Sequence, residues 1–96
     1  MAQLTAAERL EKIKTALGLD GTTYQDGTLN IYIDEVISFM VEAGVQQTVA
    51  ESAAAVGCIA IGVNDLWNYS SGGVKFSDYF LRRVAQLAYK VVAADV

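Results

Sequence analysis

The chain has 96 residues, with seven Lys and Arg against eleven Asp and Glu and a formal net charge of −4. That length accommodates one domain. There is no histidine and a single cysteine, Cys58, so Cys/His zinc sites, histidine-based triads and an internal disulfide are all excluded.

Hydrophobic residues make up 53% of the chain and charged residues 19%. Soluble domains average roughly 45–50% apolar, so surface is available to partners or to further copies. The alternative is an Ala-rich helical composition that packs without excess surface. Charge is unevenly placed. Residues 1–14 carry three bases and two acids, +1, and residues 75–96 carry four bases and two acids, +2. Residues 15–74 carry seven acids and no base, −7. An acidic centre argues against wrapping nucleic acid, whose phosphates need Lys and Arg. It suits head-to-tail self-complementarity.

Four helices are expected, and no proline interrupts them. The first opens on a capping box, Thr5-Ala6-Ala7-Glu8. Leu10, Ile13 and Leu17 mark its apolar face, Glu8 and Lys12 form an i,i+4 pair, and Gly18 ends it. The following loop, DGTTYQDG, invites a calcium reading. It holds only Asp20 and Asp26, and no Glu follows until Glu35, so an EF-hand ligand set is missing.

The second helix is expected from about Thr28 to Ala43, with Gly44 ending it. Leu29, Ile33, Val36, Ile37 and Met40 form its core face, widened by Tyr32, Phe39 and Val41. Asp34, Ser38 and Glu42 form a polar stripe with Glu35 beside it. Such a row ordinarily faces water.

The third helix is expected to start on a second capping box, Thr48-Val49-Ala50-Glu51, and to run to about Tyr69. Val49, Val56, Ile59, Val63 and Leu66 form a bulky face; Ala50, Ala54, Cys58 and Gly62 form a small-residue stripe that admits close packing. The longest uncharged run, Ser52 to Asn64, is shorter than the roughly 20 residues a bilayer span requires, so no membrane partner is expected. No basic-then-apolar leader opens the chain.

Ser70-Ser71-Gly72-Gly73 is a short Gly-rich loop before the last helix. Ser77 is placed to cap that helix, with Asp78 in its first turn. Phe80, Leu81, Val84, Leu87, Ala88 and Val91 make its apolar face. The fold class is thus all-α, a small bundle of about four helices in one domain spanning residues 1–96.

No catalytic set assembles from these residue types. Gly72-Gly73-Val74-Lys75 lacks P-loop spacing, and no histidine is present to activate a serine. No enzyme activity, cofactor or metal is expected. The stretch from Asn64 to Leu87 instead combines Trp67, Tyr69, Phe76, Tyr79 and Phe80 with Lys75, Arg82 and Arg83. Aromatics and Arg beside a turn compose many contact surfaces, and equally the edge of a small core. Leu66, Phe80, Leu81, Val84 and Leu87 are assigned to the core. Trp67 is shared, and Tyr69, Lys75, Phe76, Tyr79, Arg82 and Arg83 are the candidate contact residues.

The order and spacing of LEKIKTALGLDG, LNIYIDEVISFMVEAGV, AAVGCIAIGVNDLWNY and VKFSDYFLRRVAQLA resemble a known family. These segments are similar to the small head–tail connector proteins of tailed bacteriophages, also called head-completion or DNA-packaging adaptor proteins. The likeness is to the version from phages and prophages of Gram-positive bacteria. It covers about residues 4–92, and the loop between the last two helices, SSGGVK, is shorter than in some members.

The resemblance implies a helical virion protein that assembles as a homo-oligomeric ring beneath the portal protein. The ring would extend the DNA channel and carry the stopper or tail-completion protein. Double-stranded DNA would pass through without sequence-specific binding, and assembly would take place in the host cytoplasm. Asp34, Glu35 and Glu42 would then be candidate channel-facing acids that repel phosphate. A small acidic adaptor or regulatory domain binding one protein partner is the alternative function.

Overall fold

The Thr5 capping box forms as expected. Thr5 Oγ1 accepts from Glu8 N–H at 3.1 Å, and Glu8 Oε1 accepts from Thr5 N–H at 2.8 Å. Helix α1 (Ala6–Leu17) follows, and Gly18 ends it in the left-handed region at φ 75°. There Leu19 N–H donates to the Lys14 carbonyl at 2.8 Å, satisfying a carbonyl the helix leaves free. The computed structural model describes residues 3–68 and 76–89.

Helix α2 (Asp26–Glu42) starts two residues earlier than expected. Asp26 opens it, where a carboxylate is favourable. Lys14 fixes this start: its Nζ lies 3.0 Å from Asp26 Oδ1 and 3.6 Å from Glu11 Oε2. The Lys14 ammonium is buried. The bond to Asp26 holds its pKa above the usual lysine value, with burial opposing. Leu29, Ile33, Val36, Ile37 and Met40 are all buried.

The expected third helix is broken in two. Helix α3 (Gln47–Ala50) is one turn, Ala53–Ala55 form a 3-10 turn, and α4 runs over Val56–Asn68. Thr48 and Glu51 do not form a capping box; Gln46 is the N-cap, and the Glu51 carboxylate accepts from Gln47 Nε2 at 2.6 Å. The break arises because the start of the chain crosses here. Arg9 Nη2 donates to the Glu51 carbonyl at 3.0 Å, and Gln3 Nε2 donates to the Thr48 carbonyl at 2.7 Å. Those carbonyls serve the N-terminal segment rather than a continuing helix. Ser52 is extended, caps the next turn by accepting from Ala54 N–H at 3.2 Å, and donates to the Val49 carbonyl at 2.7 Å.

Helix α5 (Asp78–Ala88) is capped by Ser77, whose Oγ accepts from Phe80 N–H at 3.2 Å. Ser77 N–H donates to Asp65 Oδ2 at 3.0 Å, tying the start of α5 to α4. Among the described residues the architecture is all-α, with α4 packed against α1, α2 and α5. The Gly-rich loop expected at 70–73 lies outside the described residues.

The small-residue stripe is used inside the chain. Ala50 stands beyond the break and Ala54 is exposed, while Cys58 and Gly62 are buried. A Cβ at Gly62 would stand 2.6 Å from Phe80 Cε1 and 3.0 Å from both Val36 Cγ atoms. Only glycine lets α2 and α5 close over α4 at that point. No helix among the described residues is long and apolar enough to cross a membrane.

Candidate interaction surface

The aromatic–basic block separates into three environments. Phe76 lies inward, half-buried, with its ring 4.5 Å from that of Phe80 and 4.8 Å from that of Phe39. Phe80 is fully buried and 5.8 Å from Phe39. Three stacked phenylalanines thus close the bundle between α2 and α5. Phe76 joins the core cluster on its way to Ser77, although the sequence groups it with the contact residues.

Trp67 is half-buried and meets Tyr32 edge to face, at 5.8 Å and 86° between ring planes. It walls a groove of about 300 Å³ lined also by Leu17, Leu19, Gln25, Val63 and Asn64. The groove runs between the end of α1 and the middle of α4. Among the described residues it carries no charged side chain.

The third environment is the outer face of α5. Tyr79, Arg82, Gln86 and Tyr89 recur at i, i+3, i+7 and i+10, the spacing of one helical stripe. Tyr79 is 61% exposed and Tyr89 87% exposed, so both rings stand in water. Arg82 is exposed, and Arg83, half-buried beside it, donates to Gln86 Oε1. Leu81, expected in the core, is 41% exposed on the flank of the helix. Tyr69 and Lys75 lie outside the described residues.

Asp34, Glu35 and Glu42 are exposed on α2. Ile31 stands among them and is 63% exposed. It breaks an otherwise polar stripe formed by Glu35, Ser38 and Glu42. Ile31 and Tyr89 are surface residues that the sequence reading passed over. Their signal was available in the helical spacing: Ile31 is four residues before Glu35, and Tyr89 is seven after Arg82.

Positive charge is scarce on the described surface. Arg9 and Lys14 are buried, Arg9 donating to the carbonyls of Leu4 and Glu51 and Lys14 pairing with Asp26. Lys12 stands near Glu8, whose pKa is lowered chiefly by the Thr5 backbone and hydroxyl bonds and least by Lys12. Arg82 and Arg83 remain. Cys58 is buried, and desolvation pushes its thiol up to about 11 against a small opposing pull from Arg83. A thiol held neutral in that way is a packing group, not a nucleophile. Among the described residues no three His, Cys, Asp or Glu side chains gather to hold a metal.

The arrangement offers recognition chemistry: exposed tyrosines around an arginine on one helix and carboxylates around an isoleucine on another. Neither a protein-family model, nor a curated protein, nor a solved structure matches the chain.

Proposed function

We propose that this protein is a structural subunit of a phage head–tail connector, assembling beneath the portal and presenting a platform to the tail. The observation that carries the reading is the outer stripe of α5, where Tyr79, Arg82 and Tyr89 stand exposed on a helix whose other face is fully engaged. Tyr and Arg are enriched among the residues that dominate protein contacts, Tyr because it buries a large area with two rotors lost and Arg because its planar fork makes several hydrogen bonds. Among the described residues the stripe's two tyrosines remain mostly exposed. The segment resemblance to the connector family supplies the setting in which it would act.

Deleting the gene from the genome that encodes the chain tests this. The expected result is DNA-filled heads and free tails in the lysate, seen by electron microscopy. Supplying the chain with Tyr79→Ser and Arg82→Ala should leave heads and tails unjoined while the variant stays folded. Intact tailed particles from the deletion would overturn the reading. A defect confined to something other than particle assembly would point instead to a single-partner adaptor.

A further inference from the structure

We propose that the outer face of α5 docks on the outer face of α2 of a second copy of the chain. This deepens the connector reading and takes its setting from it. The two faces match in charge, apolar content and length. On α5, Arg82 and Arg83 stand between Tyr79 and Tyr89. On α2, Glu35 and Glu42 follow Ile31 on one stripe at i, i+4 and i+11, with Asp34 on its flank. Ile31 stands 63% exposed on the stripe that carries Glu35 and Glu42. A tyrosine ring of a second copy is a fitting cover. At the helical rise of 1.5 Å, Tyr79 to Tyr89 spans about 15 Å and Ile31 to Glu42 about 16.5 Å.

The described surface leaves few other choices for either face. Arg9 and Lys14 are spent inside the bundle, so Arg82 and Arg83 are the cations of the described residues best placed to meet an acidic helix. Within one copy no ion pair among the described residues joins the two faces, and α2 and α5 both pack their inner faces on α4. The contact joins two different patches and is therefore head to tail, the kind that closes into a ring or extends as a chain. It assigns Glu35 and Glu42 to the contact between copies rather than to a channel lining. Asp34 alone of the three acids is left beside it.

Sedimentation and light scattering of the full chain test the contact, at low salt and at concentrations up to about 1 mM, where even weak contacts register. The mass should rise with concentration. It should fall back at 1 M salt, where screening acts over about 3 Å. Arg82→Glu with Arg83→Glu should lower the association constant at least tenfold. Glu35→Lys with Glu42→Lys should do the same, and each variant should keep the wild-type circular dichroism. Mixing the two variants one to one should restore association, because each reversed face then finds its complement on the other. The milder pair Arg82→Gln and Glu35→Gln should each weaken association several-fold if a reversal variant fails to fold.

A folded mixture that stays monomeric overturns the contact, as does a wild-type chain that is monomeric throughout. A strictly monomeric wild type whose Arg82 variants still leave heads and tails unjoined overturns this contact and leaves the connector reading standing. Rescue by mixing, in a chain absent from the head–tail junction, supports the contact and overturns the connector reading.

Discussion

The inner face of α5 presents Phe80, Val84 and Leu87 to the core, and its outer face presents Tyr79, Arg82, Gln86 and Tyr89 to water. Both faces are rich in large side chains. They differ in what surrounds them. Phe80 is enclosed by Phe39 and Phe76, while the two tyrosines stand exposed. The inner face therefore determines whether the chain folds, and the outer face is the one left for the proposed contact. The acidic helix α2 is divided in the same way, with Val36 and Met40 enclosed and Glu35 and Glu42 exposed.

The largest expected effect is on the inner face. Phe80→Ala removes a fully buried ring from the centre of the phenylalanine cluster and should cost about 3–5 kcal/mol. In a chain this small that leaves little or no folded protein, read as a collapse of the urea midpoint. A loss below about 1 kcal/mol would mean that this ring does not hold α5. Gly62→Ala comes next. The new methyl would stand 2.6 Å from Phe80 Cε1, so the ring or the helix must shift, at about 1–3 kcal/mol. Substituting Phe80→Leu in the same chain should recover part of that loss by removing the clashing edge, which places the strain between these two residues.

A third expectation concerns pH. The pKa of Lys14 is raised from its ordinary value of 10.5, first by its bond to Asp26. A raised lysine pKa means that the folded chain binds the proton more tightly than the unfolded chain. The stabilisation is therefore fully present below the unfolded value and is lost as pH rises through the folded one. Urea midpoints should fall above pH 10.5, and the fall should be smaller in Lys14→Met. The difference between the two proteins is the readout. Identical profiles would show that the pair joining α1 to α2 contributes no pH dependence.

Much of this fold is legible in the sequence because the signals are local. The Thr5 box, the Gly18 stop, the core positions of α2 and the Ser77 cap each rest on residues within one or two turns of one another. The break between α3 and α4 is not local. It depends on Arg9 and Gln3 reaching carbonyls more than forty positions away, and Thr48-Val49-Ala50-Glu51 reads as a helix start until those donors are placed. Ser52 was the available hint, a good N-cap in mid-helix. Gly62 shows the same limit. Its spacing marks a close approach, but whether a second subunit or α5 makes that approach depends on the tertiary fold. The block from Asn64 to Leu87 could be divided only in part for the same reason: Phe76 precedes the helix, so no helical period determines which way it turns.

The smallest expected effect on stability lies on the outer face, and it separates the two faces most sharply. Tyr79→Ser with Tyr89→Ser changes two residues that are 61% and 87% exposed. Substitutions at such positions ordinarily alter stability by less than about 0.5 kcal/mol. Serine lowers helix propensity little, and Tyr89 already stands at the C-cap. The far-UV spectrum and urea midpoint should match the wild type, while self-association and the joining of heads to tails should fall. A loss of stability above about 2 kcal/mol would place the tyrosines within the fold, and α5 would then keep no face for another molecule. Unchanged stability with unchanged association would leave Arg82 and Arg83 as the part of the stripe that binds, and the tyrosines as its solvated border.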